Sequence, residues 1–298
     1  MDLVQHLHQS GGVATRAHLV RTTSRAAFDR AFASGDIVRD AYGRYALPVG
    51  DEAIRAASAL TGVVSHRSAA LHWGWEVKTV PPFPDVIVRR SRTIDAGRRE
   101  DIALHWANLN PDEIDGNVTT RDRTLVDCMR ALPFDEALAI TDSALRRRSV
   151  TKAQVVALAA TVRGPGAPQA RRVAQEATRL AANPFESVLR AIALDVAGLD
   201  LRPQQVISDR DGSGRADLVD RVRRWVVEAE SHSWHSRRRA LRRDCRRYTK
   251  LVLLGWRVLR FAWEDVMFHP DYVRDCLVEA AGIAAQRAGS GAEGDVAA

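Results

Sequence analysis

The chain has 298 residues, 46% of them hydrophobic and 27% charged, which is enough for two or three ordinary globular domains. Lys and Arg outnumber Asp and Glu by 44 to 37, and the net charge of +7 favours an anionic partner such as nucleic acid. No apolar run is long enough to span a bilayer and no signal peptide is recognisable at the N-terminus, so we expect a cytoplasmic protein without a membrane partner.

The first residues carry the signals of three short helices. Apolar residues at helical spacing predict a helix over residues 1–10, and Gly11 ends it. Thr15 and Ser24 are placed to cap a second and a third helix. The buried stripe expected on the third helix consists of Ala27, Phe28, Ala31 and Phe32.

A hairpin is predicted next, with short extended runs at Ile37–Arg39 and Arg44–Leu47. Three helices followed by a hairpin are typical of a winged helix-turn-helix, here spanning residues 1–50, in which the third helix enters the major groove. The arginines placed to meet phosphates are Arg25, Arg30, Arg39 and Arg44. Small three-helix units also serve as protein–protein modules, and that alternative stays open.

Residues 51–182 are predicted to form a mainly helical connector domain with a small sheet. The expected helices lie at 53–61, 65–75, 119–130, 133–147, 151–162 and 169–181, and the expected strands at Val86–Val88 and Ile102–Trp106. The histidines of this region are expected to be packed or hydrogen-bonded rather than metal ligands; they are His66, His72 and His105. The three cysteines form no CxxC pair, so neither a disulfide nor a zinc site is predicted.

Residues 183–285 read as helix, three strands, helix, strand, and a final helix. The order of the first six elements is αβββαβ, and residues 286–298 are expected to be a disordered tail. The chain as a whole is predicted to be an α+β multidomain protein.

Acidic residues cluster on the second and third of these strands. Glu228 and Glu230 are two positions apart on one strand, so their side chains share a face, and Asp217 lies on the preceding strand. Carboxylates on one face of a buried strand repel each other unless a cation lies between them. Mg²⁺ is often bound by one or two carboxylates together with substrate phosphates, so a Mg²⁺ or Mn²⁺ site is predicted here.

The motifs of residues 183–277 resemble those of very-short-patch-repair-like endonuclease domains of the PD-(D/E)xK superfamily. The matching stretches are NPFES, GRADLV, VVEAESHSWH, RRDCRRYTKL and LGWRVLRF. The first half, with its winged-helix start and the stretches VSHRSAALHWG and RTLVDCMR, resembles AbiEi-type antitoxin proteins.

The resemblance implies roles for several residues. Asp217 and Glu228 would ligate Mg²⁺, Glu186 would support them from the adjacent helix, and Glu230 would stand where the superfamily usually has lysine. His235 would be a candidate proton-transfer group, and Asp244 would lie near the site. Arginines of the following helix, Arg243 and Arg247 among them, would hold the phosphate backbone. Ser231 replaces the glycine that commonly follows the acidic pair.

These features lead to a first hypothesis, a metal-dependent DNA endonuclease with an N-terminal DNA-binding winged helix, in a toxin–antitoxin or phage-defence setting. The alternative is a non-catalytic transcriptional regulator or antitoxin whose nuclease domain is degenerate, with a cognate toxin as partner. In that case Glu228 and Glu230 would pair with arginines in a structural network. An arginine-rich scaffold for RNA finds little support, because no aromatic stacking surface stands out.

Overall fold

The structure, a computed structural model, describes residues 3–9, 12–47, 51–209, 212–230 and 239–293. It contains both helices and sheets, as expected for an α+β chain. Two compact units are present, Met1–Leu132 with Ala157–Ala170 and Pro133–Val156 with Arg171–Ala298. Within the described ranges, no helix combines the length and apolar character that crossing a membrane would require.

The first unit opens with three helices and three short strands. In chain order these are α1 (Leu3–Gln9), β1 (Val13–Thr15), α2 (Arg16–Thr22), α3 (Arg25–Ala33), β2 (Val38–Ala41) and β3 (Arg44–Ala46). The predicted caps are confirmed: the Thr15 and Ser24 side chains accept hydrogen bonds from the backbone N–H of His18 and Ala27. The strands form an antiparallel sheet in the order β1-β3-β2.

The apolar stripe of α3 is only partly buried. Phe28 and Ala31 join the core formed with α1 and α2, but Phe32 is 46% exposed. Its ring stacks on Phe28 and meets the edge of Tyr45 from β3, which leaves its outer face in water. The prediction of a fully buried stripe was therefore wrong for Phe32.

The rest of this unit is a five-stranded sheet with helices. Its elements are α4 (Glu52–Ala59), β4 (Val63–Val64), α5 (His66–His72), β5 (Asp85–Val88), β6 (Ala103–Trp106), β7 (Ile114–Asp115), β8 (Val118–Thr119) and α6 (Arg121–Ala131). The strand order is β6-β5-β4-β8-β7. The two-residue strands were not predicted, because pairing with distant residues defines them more than their own sequence does.

Residues on both sides of the predicted boundary at residue 50 share one core. Val13 and Ala46 pack in the same buried cluster as Ile54 and Val86. An ion pair of 2.7 Å also joins Arg55 of α4 to Asp40 of β2. The N-terminal helices and the five-stranded sheet therefore belong to one compact unit.

The later elements follow the predicted order, with one added helix. They are α7 (Phe134–Arg146), α8 (Lys152–Thr161), α9 (Ala167–Glu176), α10 (Pro184–Leu194), β9 (Arg202–Asp209), β10 (Gly212–Asp220), β11 (Trp225–Glu230), α11 (Arg239–Leu253), β12 (Arg257–Ala262), α12 (Trp263–Phe268) and α13 (Pro270–Glu293). Helix α13 ends at Glu293, within the stretch 286–298 that the sequence predicts to be a disordered tail. This stretch follows an alanine-rich segment, and alanine is the strongest helix former.

The C-terminal sheet has the order β12-β11-β10-β9, and β11 and β12 run parallel. Apolar residues cover both of its faces. Val227 of β11 packs in one cluster with Val188 and Leu189 of α10, whereas Val226 packs in another with Leu251 of α11. The sheet thus lies between α10 and α11, and the face shared by Val226 and Glu228 is turned towards α11.

Helix α7 packs on α10 through a buried charged network, although α7 precedes the predicted boundary at residue 182. The Asp142 carboxylate accepts hydrogen bonds from Arg190 Nη2 at 2.7 Å, Ser187 Oγ at 2.8 Å and the backbone N–H of Thr178 at 2.7 Å. Both Asp142 and Arg190 are buried. This network explains why residues 133–156 belong with the C-terminal elements.

Candidate functional site

The register of β10 and β11 brings two acidic residues face to face. Leu218 lies opposite Val227 in the antiparallel pair, and Asp217 and Glu228 are the next residues along the two strands. The Asp217 carboxylate lies close enough to Glu228 to raise the pKa of that carboxyl group. Asp217 is held further by the backbone N–H of Ala229, 2.9 Å from its Oδ2.

Glu228 is an unusual acid because it is only 4% exposed. Burial raises its pKa to about 8, the adjacent Asp217 carboxylate raises it further, and the Arg247 guanidinium opposes the shift. At neutral pH Glu228 therefore favours its protonated form.

One arginine lies against this acid pair. The Nη2 atom of Arg247, on α11, donates to Glu228 Oε1 at 2.6 Å and to the backbone carbonyl of Arg215 at 2.7 Å. The side chain of Arg247 remains 29% exposed. Arg247 thus partly neutralises Glu228 from the solvent side of the site.

Glu230 has different partners. It accepts hydrogen bonds from Arg260 of β12, with Nη2 at 2.9 Å and Nε at 3.0 Å, and from the hydroxyl of Tyr248. The Arg260 guanidinium also lies over the Tyr248 ring, 4.1 Å from its centroid. Burial and the donation to Glu230 raise the pKa of Tyr248. Glu230 is therefore engaged in an ion pair rather than turned towards Asp217.

Glu186 approaches the pair through an intermediary. The amide nitrogen of Gln204 donates both to Glu186 Oε2 at 2.8 Å and to Asp217 Oδ1 at 3.0 Å. Glu186 also accepts from the backbone N–H of Ala182 at 2.8 Å, at the start of α10. Burial raises its pKa, and the nearby Asp217 carboxylate adds to the shift. Glu186 thus supports the site from the helix, with Gln204 in between.

The donor set available to a metal is accordingly small. Within the described residues, no group of three or more His, Cys, Asp or Glu side chains is arranged to hold an ion. Asp217 and Glu228 remain, a half-buried and a buried carboxylate with the Arg247 guanidinium against Glu228. Such a pair suits a hard divalent cation that completes its shell with water and phosphate oxygens. The residues present therefore fit Mg²⁺ or Mn²⁺ as a two-carboxylate site.

The remaining residues predicted for this site lie on or before α11. Asp244 is half-buried on α11, three residues before Arg247. Arg243 is also on α11, but its side chain lies outside the part of the chain that the structure describes. His235 falls within residues 231–238, which are likewise outside the described ranges.

The arginines predicted to contact DNA lie on α3 and on the β2–β3 hairpin. Arg25 forms an exposed ion pair with Asp29, with Nε and Oδ2 3.8 Å apart. Arg30 is five positions further, about 140° around the helix, and lines a cleft with Leu3 and Val4 of α1. The two side chains therefore leave α3 on different faces.

On the hairpin, the Arg39 guanidinium lies 5.5 Å from the centroid of the exposed Tyr42 ring. Arg44 is half-buried on β3. Arg39 and Arg44 are thus presented by the two strands that flank the turn.

Of the three histidines named from the sequence, His66 and His105 stack on each other, whereas His72 is exposed and meets the edge of the Trp73 ring. His66 is buried and stacks on His105, with ring centroids 3.7 Å apart, and His105 Nε2 lies 2.9 Å from Asp85 Oδ1. Burial lowers the pKa of His66 to about 3, and the adjacent His105 lowers it further. His66 is therefore a neutral core residue at physiological pH.

Three residues that contact the acids were missed by the sequence analysis: Gln204, Tyr248 and Arg260. Gln204 has a left-handed backbone (φ 52°), which interrupts the pairing between β9 and β10. No turn residue signals this irregularity in the sequence. Arg260 lies opposite Glu228 in the parallel register of β11 and β12, so strand pairing would have revealed it.

Comparison with known proteins places the chain near proteins without an assigned activity. No protein-family model matches it. It is 31% identical over 150 residues to two sequences from strains of Mycobacterium tuberculosis, described as the uncharacterized proteins MT2308 and Rv2248. The match covers 49% of this chain and 55% of each relative, so the chain spans about half the length of the curated relatives it matches. A crystal structure of the RV2827C protein from Mycobacterium tuberculosis is similar over 63% of this chain and 78% of that one, with 15% identity and a TM-score of 0.35.

Proposed function

We propose that the C-terminal unit is a metal-dependent DNA endonuclease that hydrolyses phosphodiester bonds with Mg²⁺ or Mn²⁺. The observation that carries the proposal is the proximity of two carboxylates on neighbouring strands, of which Glu228 is buried and Asp217 half-buried, with one guanidinium, that of Arg247, against Glu228. A divalent cation between the two carboxylates would neutralise both. The proposal includes a restriction-endonuclease-like fold for residues 183–285.

The roles of the residues follow from their contacts. Asp217 and Glu228 would hold the metal, which when bound polarises the phosphate and acidifies its own water. Gln204 and Glu186 hold Asp217 in place from the side of α10. Arg247 lies beside the carboxylates with part of its side chain in solvent, where a phosphate group can reach it. His235 and Asp244 remain proposed proton-transfer groups.

The N-terminal part of the first unit would bind DNA as a winged helix. The three helices, their antiparallel sheet and the arginines of the hairpin support this assignment. Arg39 and Arg44 would contact phosphates beside the groove, because the hairpin presents both.

Asp217→Asn tests the nuclease directly. The substitution keeps the shape of the side chain but removes a charged metal ligand. We expect cleavage of plasmid DNA in Mg²⁺ or Mn²⁺ to fall by at least about a hundredfold, with DNA affinity in EDTA unchanged. Asp200→Asn is the matched control, since Asp200 is an exposed acid on the same unit, paired with Arg202. Equal cleavage by the wild type and Asp217→Asn would refute the assignment.

The second candidate is a non-catalytic DNA-binding regulator or antitoxin that uses the same chain to repress a promoter and to bind a toxin. The ion pairs Arg247–Glu228 and Arg260–Glu230 favour it, because each glutamate already has a guanidinium partner. A regulator would bind DNA equally well in EDTA and in Mg²⁺, and the purified wild type would cleave no DNA with either metal. The same cleavage and binding assays therefore separate the two functions.

A further inference from the structure

We infer that Arg247 is a built-in cation of the Asp217–Glu228 pair, which a divalent metal must displace, and that the displaced guanidinium then binds the phosphate of the nucleic acid. The inference rests on the proposed function and concerns the control of that same site. Without metal, the Arg247 side chain would occupy the site. With metal bound, the same side chain would contact the phosphate of the substrate.

The contacts of Arg247 suit an exchangeable cation. A single nitrogen, Nη2, donates both to Glu228 Oε1 at 2.6 Å and to the Arg215 carbonyl at 2.7 Å. The guanidinium therefore does not form the bidentate pair of parallel hydrogen bonds that is the strongest arginine–carboxylate interaction. Because the side chain is 29% exposed, it can leave the carboxylate without crossing the core.

A metal ion and this guanidinium compete for the same oxygens. Glu228 Oε1 is the atom that Arg247 contacts, and the Asp217 carboxylate lies close to Glu228 on the neighbouring strand. Two cations at one carboxylate repel each other strongly where solvent is largely excluded. Binding of a metal is thus an exchange reaction, and its affinity is lower than that of the same acids without the arginine.

Gly214 is a second, independent observation, because the absence of a side chain there leaves space for Arg247. A Cβ atom at position 214 would lie 3.3 Å from Arg247 Nε, closer than ordinary van der Waals contact. The absence of a side chain at Gly214 lets the arginine lie across β10 and reach Glu228. Gly214 has no left-handed backbone conformation, so alanine can be placed there without backbone strain.

The released guanidinium has an evident ligand. A phosphate is bound bidentately by arginine, and position 230, next to the acids, carries glutamate rather than a cationic residue. Arg260 contacts Glu230 through two nitrogens and lies 4.1 Å from the Tyr248 ring centroid, whereas Arg247 contacts Glu228 through one nitrogen and lies 5.6 Å from that centroid. Arg247 is therefore the cation best placed to meet a phosphate once the metal has taken Glu228.

Calorimetric titration of the full-length protein with MnCl₂ tests the exchange. We expect Arg247→Gln to bind Mn²⁺ at least about tenfold more tightly than the wild type, because the competing charge is gone. Arg246→Gln, an exposed neighbour on the same helix, should bind as the wild type does. Adding Asp217→Asn to Arg247→Gln should abolish the gain, which locates the metal at this pair.

Gly214→Ala gives the same test without removing a charge. The added methyl group pushes Arg247 away from Glu228, so Mn²⁺ affinity should rise by a smaller factor than in Arg247→Gln. Thermal unfolding in EDTA establishes that each variant is folded. This second variant keeps the inference testable if Arg247→Gln does not fold.

The outcomes separate the inference from the proposed function. If the wild type binds Mn²⁺ and both variants bind it equally or less well, the exchange is refuted while the metal site stands. If only the variants bind, the arginine excludes the metal, which supports the exchange and points to the non-catalytic regulator. If no form binds Mn²⁺, the metal site and the exchange both fail.

The phosphate contact is tested by DNA affinity in Ca²⁺, which binds carboxylates and slows cleavage. In the wild type, Ca²⁺ should strengthen binding of a short duplex relative to EDTA, because it both bridges to DNA and frees Arg247. In Arg247→Gln the gain should be several-fold smaller. An equal gain in the two proteins would refute the role of the released guanidinium.

Discussion

At the scale of single residues, the site depends on how Glu228 is neutralised. The carboxyl group is buried, lies close to the Asp217 carboxylate and, among the described residues, is paired with the Arg247 guanidinium. Burial of an acid favours its protonated form, and a like charge opposite adds to the effect. The folded protein therefore holds a proton at Glu228 that the unfolded chain releases at lower pH.

This proton makes stability depend on pH. The pKa of Glu228 rises from 4.5 in the unfolded chain to about 8 in the folded one, so the folded state binds more protons between those values. Stability is full below pH 4.5 and falls as pH rises towards 8, by at most about 1.4 kcal/mol per pH unit from this group. We expect the decline in urea unfolding experiments in EDTA, and Glu228→Gln should remove it.

Glutamine suits this test because its amide still accepts from Arg247 and donates to Asp217. Glu264→Gln is the control, since Glu264 is an exposed acid of α12. That variant should keep the slope of the wild type. A Glu228→Gln protein whose stability falls with pH as steeply as the wild type would show that Glu228 is already ionised at low pH in the fold.

The sequence correctly predicts features that depend on residues close together in the chain. Thr15 and Ser24 cap helices because their hydroxyls meet backbone N–H groups only three residues away. Glu228 and Glu230 share a face, as strand alternation predicts, since both contact α11. The partners of Glu230, Tyr248 and Arg260, are 18 and 30 residues distant along the chain, and no spacing rule reveals them.

At the scale of elements, α7 and α10 are joined by a charged pair in an apolar interior. Asp142 and Arg190 are both buried, and the carboxylate accepts from Ser187 and Thr178 as well. Burial raises the pKa of Asp142, while the Arg190 guanidinium opposes that shift. Such a pair contributes little net stability when complete, but removing one partner is costly.

We therefore expect Arg190→Met to lower the free energy of unfolding by about 3–5 kcal/mol, because Asp142 is left buried without its counter-charge. Chemical denaturation monitored by circular dichroism measures the loss. Adding Asp142→Asn should recover part of it, since the amide carries no charge to compensate. A loss below about 1 kcal/mol for Arg190→Met would mean that the pair contributes far less than a buried ion pair does.

The sequence predicts helices and strands where their own hydrophobic periodicity defines them. The αβββαβ order from α10 to β12 matches the structure, because helical and strand periodicities differ clearly there. The strands β4 and β8 have two residues each and exist through their pairing with each other and with neighbours. Their formation depends on tertiary contacts that a local pattern does not contain.

At the scale of the whole molecule, the two compact units do not follow the linear order of the chain. Residues 133–156 belong with the C-terminal elements, and residues 157–170 with the N-terminal ones. The domains predicted from the sequence are consecutive segments, so they do not include this interleaving of residues 133–156 and 157–170. The buried contact between Asp142 and Arg190 joins residues 48 positions apart, and the composition of the chain does not predict a contact over such a distance.

The net charge of +7 is the other whole-molecule property, and it would make the proposed DNA binding sensitive to salt. For about four phosphate contacts, affinity for duplex DNA should fall on the order of a hundredfold between 50 and 200 mM salt. Arg44→Gln should reduce the slope of log affinity against log salt by about one unit, as the loss of one contact requires. Fluorescence anisotropy with a labelled duplex measures both.

Arg274→Gln is the control for that experiment, because Arg274 is already paired with Asp271 on α13. It removes the same formal charge without touching the hairpin. If both substitutions change the slope equally, the effect comes from net charge and Arg44 is not a contact.

The order of the chain has a consequence for synthesis. The strand that carries Glu228 and Glu230 leaves the ribosome before α11 and β12, which supply Arg247, Tyr248 and Arg260. A nascent chain ending just after residue 230 would present these acids without any of those partners. The C-terminal sheet therefore has to wait for its last strand, and a stalled translation product would expose an acidic, incomplete edge.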